Sequence, residues 1–359
     1  MDTPIDPETL QAKAENAFDI VSKLFVAHNV HLGDKLGLYE SMKDQGPITS
    51  QRLAERSGYK ERWIREWLRG QTAAGLITYH GDGEFELTPE EAMVLTEDDA
   101  NPASVVGAFQ FVPVLGSIVG KLPHSFQTGV GYTYDSFGAD GAECIERMLS
   151  PWYRVSLVQE ALPKLEGLVE KLASGAKCVD VGCGASVAMV TMAKAFPKSE
   201  FHGYDNSAHA FTRARANIQK AQVTNVFLHD SDEETIPADH SFDLATALDC
   251  LHDMSHPEGA VAAVRAALKP DGTFFVIDVN GKETFEQNLS DNPLAAMEYN
   301  GSLLCCMSSS ASVEGGGAHG TLALHESAMR ALLTEGGFTR FRRIEELEHP
   351  FNAYYEVRP

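Results

Sequence analysis

At 359 residues the chain is long enough for two domains and a deep core. Its formal net charge of −22 argues against polyanionic partners, because nucleic acids and anionic membranes attract basic surfaces. The six cysteines show neither paired metal-ligand spacing nor a secreted disulfide framework, so we expect reduced thiols and a cytoplasmic protein. The first residues, Met1-Asp2-Thr3, are acidic and precede no apolar run, so we expect no signal peptide.

The first hundred residues predict several helices followed by a two-stranded wing. Apolar residues recur at intervals of three and four from Leu10 to Phe25, which predicts an amphipathic first helix. Further helices are expected at 30–42, around 53–54 and at 63–74, and a hairpin with a glycine turn at 76–87. Thr88-Pro89-Glu90-Glu91 then predicts the capped start of another helix. This order of elements resembles a winged-helix domain, which we place at 1–98.

DNA binding is the obvious function of a winged helix, and the charges of this segment argue against it. On helix 60–75, a step of about 100° per residue predicts an arginine face formed by Arg62, Arg65 and Arg69. The opposite face is predicted to be apolar and to comprise Trp63, Ile64, Trp67 and Leu68. Glu66 lies among the arginines and is placed to pair with them. The wing tip carries three acidic side chains, Asp82, Glu84 and Glu86, and no lysine or arginine. We therefore expect this domain to dimerise through its first helix and to close one wall of a substrate site.

No charged residue lies between Asn101 and Gly120, a length that would just span a bilayer. Prolines, glycines and a glutamine interrupt this stretch and no basic flank precedes it. We expect two buried helices that roof an apolar cavity, around Phe109, Phe111, Val114 and Ile118. Tyr134, in the loop that follows, either reaches the ligand site or packs, and helix-prone sequence from 142 to 172 completes a helical linker placed at 99–170.

The second half of the chain begins with a β-prone run that ends in an acid and breaks at two glycines, Asp180-Val181-Gly182-Cys183-Gly184. A helix is predicted to follow at 187–196. Such a turn lets a ligand approach the main chain and the free N–H groups of the helix. A dinucleotide fingerprint requires a further glycine at its sixth position, where this chain has Val187. The remaining pattern suits a ligand with a cationic amino group and argues against a nicotinamide-dependent oxidoreductase.

A second predicted strand, 200–205, ends at Asp205, which follows Asp180 by 25 residues, since 205 − 180 = 25. In a doubly wound sheet, this carboxylate would lie beside the first turn and accept ribose hydroxyls, although a solvated strand end is the other reading. A third strand, 226–229, leads into the acidic segment 230–233. These features resemble the first motifs of class I S-adenosylmethionine (SAM)-dependent methyltransferases.

The resemblance implies an α/β fold, a Rossmann-like class I methyltransferase sheet with a C-terminal antiparallel hairpin, over 171–359. It also implies SAM as cofactor and S-adenosylhomocysteine as product. The adenine acid is expected at Asp232, with Asp230 or Glu233 as alternatives because the register is loose. The full set of implied cofactor contacts is Asp180, Gly182, Cys183, Gly184, Asp205, Asn206, Ser231, Asp232, Glu233, Ala247 and Leu248.

The fourth strand, 241–248, runs into a loop where an acceptor would meet the methyl group, because active residues of open α/β sheets lie at the carboxyl ends of strands. Its segment Leu251-His252-Asp253-Met254-Ser255 resembles the His-Asp-Trp segment of plant and bacterial winged-helix O-methyltransferases, with Met254 in place of the tryptophan. The resemblance implies that His252 is a general base oriented by Asp253 or Asp249. A phenol of pKa about 10 gains from such a base of pKa about 6.5, whereas an amine or carbon acceptor could dispense with it. A histidine that only caps the strand end is the structural alternative.

The remaining segments complete the predicted sheet and a cover for the site. We expect a helix at 257–268, a turn at 269–272, a strand at 273–279, a lid at 280–325, a helix at 326–334 and a closing hairpin of strands 339–347 and 353–357. The candidate acceptor contacts are Tyr134, Tyr153, Met297 and Cys305. His319 and His325 lack a third ligand at metal spacing, so we expect no metal.

We therefore predict a two-domain SAM-dependent methyltransferase of a small, apolar or aromatic molecule, with oxygen among the atoms that could be methylated. It is expected to be a cytoplasmic homodimer without a nucleic-acid or membrane partner. The alternative is a winged-helix transcriptional regulator that binds SAM as an effector.

Overall fold

The computed structural model describes residues 5–97, 101–347 and 349–359. The chain divides into two compact units, Met1–Pro113 and Val114–Pro359. The division at residue 113 lies inside the segment that the sequence predicts as a linker.

The first unit is a set of helices with a small three-stranded sheet in the order β1-β3-β2. Its elements are α1 (Pro7–Lys35), α2 (Leu38–Met42), β1 (Ile48–Thr49), α3 (Ser50–Ser57), α4 (Glu61–Ala73), β2 (Thr78–Gly81), β3 (Glu84–Glu86) and α5 (Pro89–Leu95), followed by a 3-10 turn at Val106–Gln110. The expected hairpin is present, and β1 adds a third strand that the sequence analysis missed. At the start of α5, Thr88 and Glu91 form the reciprocal hydrogen bonds of a capping box, as predicted.

The separate helix predicted at 30–42 is wrong. Helix α1 begins behind the side-chain cap of Asp6 and continues through this region to Lys35. Gly37 then adopts a left-handed backbone with φ of 65°, and α2 begins one residue later. The apolar period of three and four residues continues through 30–35, so periodicity could not locate the break that the glycine makes.

Helix α4 buries Ile64, Trp67 and Leu68, as the helical period predicts. Trp63, which was placed on the same face, is instead 79% exposed. Its position one step from Ile64 puts it about 100° away, at the margin of the buried face. On the arginine face, Arg62 pairs with Glu66 at 2.5 Å, which neutralises part of that surface as expected.

The second unit opens with helices. They are α6 (Phe111–Val119), α7 (Leu122–Thr128), α8 (Gly138–Trp152), a π-helix at Tyr153–Ala161 and α9 (Leu168–Ser174). The boundary between the two units, after Pro113, lies inside α6. Val114 and Ile118 are buried as predicted, whereas Phe109 and Phe111 are only partly buried. Within the described ranges, no single helix is long and apolar enough to cross a membrane, although 106–119 and 122–128 meet the length and composition requirement together as a bent pair.

A seven-stranded sheet follows, in the order β6-β5-β4-β7-β8-β10-β9. Strands and helices alternate as β4 (Lys177–Val181), α10 (Val187–Ala195), β5 (Glu200–Asp205), α11 (Ala208–Ala221), β6 (Val226–Asp230), β7 (Phe242–Leu248), α12 (Pro257–Ala267) and β8 (Leu268–Val279). Neighbouring strands from β6 to β8 are parallel, and β10 is antiparallel to both β8 and β9. The predicted Rossmann-like sheet with an antiparallel C-terminal hairpin is confirmed.

The turn predicted at 269–272 is instead a bulge within β8. Phe242 pairs with Leu268, and the next pair joins Leu244 to Thr273, so the β8 side gains three residues. The extra residues stay within the strand, which explains why turn residues occur inside β8.

The last part of the chain comprises α13 (Phe285–Asp291), α14 (Ala295–Leu304), α15 (Cys306–Ser310), α16 (Glu326–Glu335), β9 (Arg340–Arg343) and β10 (Asn352–Arg358). The first three helices form the segment predicted as a lid. The edge strand β9 is shorter than the expected 339–347, whereas α16 and β10 match the prediction to within one residue.

Candidate active site

The glycine turn after β4 connects the strand to α10 and lies against β5. Gly182 has φ of 68°, and a Cβ added there would lie 3.0 Å from the Cβ and Sγ atoms of Cys250. The backbone N–H groups of Gly182 and Cys183 both donate to the carbonyl of Tyr204, at 2.8 and 3.1 Å. The position therefore requires glycine for both its dihedral and its space.

Gly203, on β5, is a requirement that the sequence analysis missed. A Cβ at this position would lie 2.2 Å from Cε of Met189 and 2.7 Å from Sγ of Cys183. It therefore allows α10 to pack closely on the sheet, which is the task of the third glycine in a dinucleotide fingerprint. No spacing rule identifies it, because the glycine comes from the neighbouring strand.

Asp180 is a buried carboxylate directly beneath the turn, with 4% of its surface exposed. Its Oδ1 accepts a hydrogen bond from the Thr246 hydroxyl at 2.6 Å. Burial raises the pKa of Asp180 to about 7, the Thr246 hydrogen bond opposes that rise, and the nearby Asp205 adds to it. A ligand with a positive charge near the turn fits this uncompensated carboxylate.

Asp205 joins the end of β5 to the same turn. One carboxylate oxygen accepts from the N–H of Gly184 at 2.8 Å, and the other accepts from the N–H of Ser207 at 2.9 Å. Burial raises the pKa of Asp205, while backbone N–H groups of Ser207, Gly184 and Asn206 act in the opposite direction. Each carboxylate oxygen has a second lone pair that a ligand hydroxyl can use.

The acidic segment after β6 also meets this turn through the main chain. The N–H of Ser231 donates to the carbonyl of Asp205 at 2.9 Å. Asp230 is engaged within the segment, since its Oδ1 accepts from the N–H of Asp232 at 3.0 Å. The side chains of Ser231, Asp232 and Glu233 are exposed. The last two predicted contacts, Ala247 and Leu248, are buried residues at the end of β7.

His252 lies in a 3-10 turn, Leu251–Asp253, just beyond β7, and is 3% exposed. Its Nδ1 is 2.7 Å from Oδ1 of Asp278, and its Nε2 is 3.4 Å from Oδ1 of Asp253. Burial lowers the pKa of His252, but the carboxylates of Asp253 and Asp278 outweigh burial and raise it well above the usual range.

Asp278 is the partner of His252 that the sequence analysis missed, since Asp253 or Asp249 was expected to orient the ring. It is fully buried near the end of β8, the parallel neighbour of β7. The same Oδ1 also accepts from the N–H of Val279 at 2.8 Å. An acid that follows the apolar run 274–277 at the carboxyl end of the strand was the available signal.

Asp249 occupies a strained position in the same loop, with φ of 62°. Its N–H donates to the carbonyl of Ile277 at 2.8 Å, and its carboxylate accepts from the Asn352 amide at 3.1 Å. Burial raises the pKa of Asp249 to about 7; nearby His252 lowers it, while Asp278 and Asp253 raise it further.

Two more segments of the chain reach this loop. The Tyr134 hydroxyl lies 3.6 Å from Sγ of Cys306 at the start of α15, and burial followed by the Asp253 charge raises the pKa of Tyr134 well above its usual range. The Tyr153 hydroxyl donates to the carbonyl of Leu248 at 3.3 Å. Cys305 is buried beside Cys306, so Tyr134, Tyr153 and Cys305 are brought towards the site.

Met297, the remaining candidate acceptor contact, is 54% exposed on α14. The structure therefore does not bury its side chain in the site. The rest of the 280–325 segment is tied to the His252 loop by the main chain, since the N–H of Gly317 donates to the carbonyl of Ser255 at 2.9 Å. The N–H of Tyr132 also donates to the Ser308 hydroxyl at 2.8 Å.

Two groups of side chains in the described ranges place possible metal-ligand atoms within 4.8 Å of one another. They are His252 with Asp253 and Cys306, and His252 with Asp249 and Asp278. Neither group includes His319 or His325, the two histidines that the sequence offered as possible metal ligands. The expectation that the protein binds no metal stays a prediction.

Residues 172–331 match the family model described as Methyltransferase domain, and residues 25–97 match that described as Rv2258c-like winged HTH domain. The chain carries a methyltransferase domain behind a winged helix. These matches confirm the resemblance of the second half of the chain to a methyltransferase and that of the first hundred residues to a winged helix. They favour the predicted methyltransferase over the transcriptional regulator.

Curated relatives of the methyltransferase domain include the ubiquinone biosynthesis O-methyltransferase of Actinobacillus pleuropneumoniae serotype 7 (strain AP76). It is 29% identical over 111 residues, which make up 30% of this chain and 47% of that protein. The chain thus spans about half the length of the curated relatives it matches.

Solved structures of similar fold cover nearly the whole chain. Mitomycin 7-O-methyltransferase is 22% identical, with a TM-score of 0.68 over 98% of this chain and 99% of that one. Human N-acetylserotonin methyltransferase in complex with SAM is 14% identical, with a TM-score of 0.66 over 100% and 99% of the two chains. At these identities the likeness shows a common fold.

Proposed function

We propose that this chain is a SAM-dependent methyltransferase that transfers a methyl group to a hydroxyl oxygen of a small, apolar or aromatic molecule. The observation that carries the proposal is the pairing of two features at the carboxyl ends of neighbouring parallel strands. The glycine turn with Asp180 and Asp205 follows β4 and β5, and His252 with its buried partner Asp278 follows β7 and β8. Cofactor and acceptor would thus meet at one edge of the sheet.

On the cofactor side, SAM when bound would supply an electrophilic methyl group on a positively charged sulfur. Asp205 would accept the ribose hydroxyls, while Asp180, Gly182, Cys183 and Gly184 would hold the amino-acid end. The adenine would lie against the exposed segment after β6, with Asp232 as the proposed acceptor of its amino group. The remaining contacts would come from Asn206, Ser231, Glu233, Ala247 and Leu248.

On the acceptor side, His252 would act as a general base. Its Nε2 would take the proton of the acceptor hydroxyl as that oxygen attacks the methyl carbon, while Asp278 holds the ring through Nδ1. Asp253 would stabilise the imidazolium that forms. Most of the acceleration would come from positioning the oxygen in line with the methyl group, and the base would add about 10²- to 10⁴-fold.

We also propose that the protein is a cytoplasmic homodimer built on α1, with no nucleic-acid or membrane partner. The first two thirds of α1 display large apolar side chains to solvent, namely Leu10, Phe18, Ile20, Val21, Leu24 and Phe25, each at least 48% exposed. A surface of this kind is typical of an interaction site. All six cysteines are free thiols, which is consistent with a reducing compartment.

The test of the activity is to incubate the protein with SAM and a panel of aromatic hydroxyl compounds and to measure S-adenosylhomocysteine. We expect product that depends on both SAM and the acceptor; an inactive panel with SAM bound would contradict transfer to an aromatic hydroxyl.

For the dimer, deletion of residues 1–28 should give monomers in sedimentation, because Val30 is the first buried residue of α1. A truncated chain that remains dimeric would place the interface elsewhere.

A further inference from the structure

The group formed by His252, Asp253 and Cys306 combines an imidazole, a carboxylate and a thiol, the three kinds of side chain that bind zinc in proteins. Nε2 of His252 lies 3.4 Å from Oδ1 of Asp253. The Cys306 thiol forms hydrogen bonds with both side chains. Zinc bonds of about 2.0 to 2.3 Å at tetrahedral angles place two ligand atoms about 3.4 to 3.6 Å apart. The three donors therefore lie close to the spacing that one zinc ion requires.

The imidazole of this group has the orientation that a metal ligand needs. Its other nitrogen, Nδ1, lies 2.7 Å from Oδ1 of Asp278, a fully buried carboxylate. The N–H at Nδ1 donates to this carboxylate, so the lone pair of the neutral ring is at Nε2, on the side of Asp253 and Cys306. Histidines that bind zinc almost always have such an acceptor behind them, because it fixes the ring and raises its basicity.

Charge and access also favour a cation at this position. Three carboxylates, those of Asp249, Asp253 and Asp278, lie beside the single imidazole of His252. A bound cation would add positive charge where these carboxylates have only one partner of opposite sign to share. Asp253 and Cys306 are partly exposed, so an ion can reach them from solvent. The other group of possible ligands, His252 with Asp249 and Asp278, contains no thiol and is more deeply buried.

We propose that His252, Asp253 and Cys306 bind a zinc ion, with Nε2, a carboxylate oxygen and the thiolate as protein ligands and water as the fourth. Binding releases the protons of Nε2 and of the thiol to solvent. The thiolate favours zinc over magnesium and calcium, which prefer oxygen ligands. The expectation of no metal rested on His319 and His325, which are not part of this site. The ion occupies the atom proposed as the general base, so it inhibits methyl transfer and competes with the acceptor.

The test is a titration of chelator-treated protein with Co²⁺, which replaces zinc in thiolate sites and absorbs light. We expect a thiolate-to-cobalt charge-transfer band in the near ultraviolet that saturates at one ion per chain and disappears when zinc is added. Cys306→Ser should abolish this band. Asp278→Asn, which removes only the partner of a ligand, should weaken binding by about 10- to 100-fold. Cys305→Ser, the adjacent thiol outside the group, is the matched control and should keep the band.

A second measurement uses the wild-type protein alone, and it decides if Cys306→Ser does not fold. Zinc should protect Cys306 from alkylation by iodoacetamide, measured by mass spectrometry of its peptide, and magnesium should not. Cobalt binding without the band, a band that persists in Cys306→Ser, or alkylation that zinc does not slow would overturn the site. None of these measurements needs SAM or an acceptor, so failure of the zinc site is distinguishable from failure of the proposed methyl transfer.

The competition with the acceptor is tested on active protein. Zinc should raise the KM for the acceptor, leave the Kd for SAM unchanged, and lose its effect when EDTA is added. Cys306→Ser should require at least about tenfold more zinc for the same inhibition, as the loss of one ligand predicts. A KM that does not change while zinc protects Cys306 would overturn the competition.

Discussion

The two sides of the site are built in different ways. The proposed cofactor side, formed by the turn 180–184 and Asp205, is organised by the main chain, since the N–H groups of Gly182, Cys183, Gly184 and Ser207 all donate hydrogen bonds within the protein. The proposed acceptor side, formed by His252, Asp253, Asp278 and Cys306, is organised by side chains from three separate segments. One side depends on backbone geometry and the other on buried charge.

This difference separates binding from chemistry. A binding site formed by main-chain groups tolerates many side-chain substitutions around it, but few substitutions of its glycines. A buried cluster of one imidazole and several carboxylates responds strongly to each charge, because removing one partner leaves the others uncompensated. Variants on the two sides should therefore change different quantities, cofactor affinity on one and turnover on the other.

The largest expected effect is on the acceptor side. His252→Ala should lower kcat by about 10²-fold or more, because the proposed general base is lost, and leave the Kd for SAM unchanged. Initial rates of S-adenosylhomocysteine formation and calorimetry measure the two quantities. His256→Ala is the matched control, since that histidine is exposed and pairs only with Glu258 in the described structure. Equal activity of the His252 variant would remove the base from the mechanism.

The corresponding change on the cofactor side is Asp205→Ala. Loss of one charge-assisted hydrogen bond, about 1.5 to 3 kcal/mol, should raise the Kd for SAM by about 10- to 150-fold. Turnover at saturating SAM should change less than affinity does. Asp239→Ala, in the exposed loop before β7, should bind SAM normally. An unchanged Kd in the Asp205 variant would reject its contact with the ribose.

The coupling of His252 to its buried partner predicts a pH dependence. The carboxylates raise the pKa of His252 against the effect of burial, so its proton is lost at a higher pH than that of a free imidazole, and kcat/KM should rise as that proton is lost. Asp278→Asn removes a negative charge and should move this rise to lower pH by about 1 to 3 units. Asp278→Glu should restore the wild-type profile in part. A profile that does not move would mean that Asp278 has only a packing role.

The smallest expected effect concerns stability. The pKa of Asp180 is about 7 in the folded chain against 3.8 ordinarily, so the folded state holds this proton more tightly than the unfolded state. That stabilisation is complete below pH 3.8 and is lost as pH rises through 7. The melting temperature of the wild-type protein should fall between pH 5 and 8, and that of Asp180→Asn should fall less over the same range. Each kcal/mol of lost stability corresponds to about 2 to 4 °C. Parallel curves for the two proteins would contradict the assignment.

The sequence was informative where function follows the order of the chain. Strand, acid, glycine turn and helix are consecutive, so spacing alone predicted the positions of Asp180, Gly182 and Asp205 around one turn. The resemblance to class I methyltransferases implied the Rossmann-like sheet and its closing hairpin, and the structure confirms both.

The sequence was uninformative where contacts join distant segments. Asp278 meets His252 only because β7 and β8 pair in a particular register, and Gly203 matters only because α10 packs across β5. The exposure of Met297 likewise depends on the orientation of α14 about its own axis, and short-range sequence patterns do not determine that orientation. Each of these facts depends on tertiary packing.

The central claim is that the glycine turn between Asp180 and Asp205 binds an adenosyl sulfonium, and a calorimetric titration of the purified, folded protein tests it most directly. SAM and S-adenosylhomocysteine should each bind at one site per chain, and NAD should give no heat. Folded protein that shows no heat with SAM, or that binds NAD instead, would contradict the account.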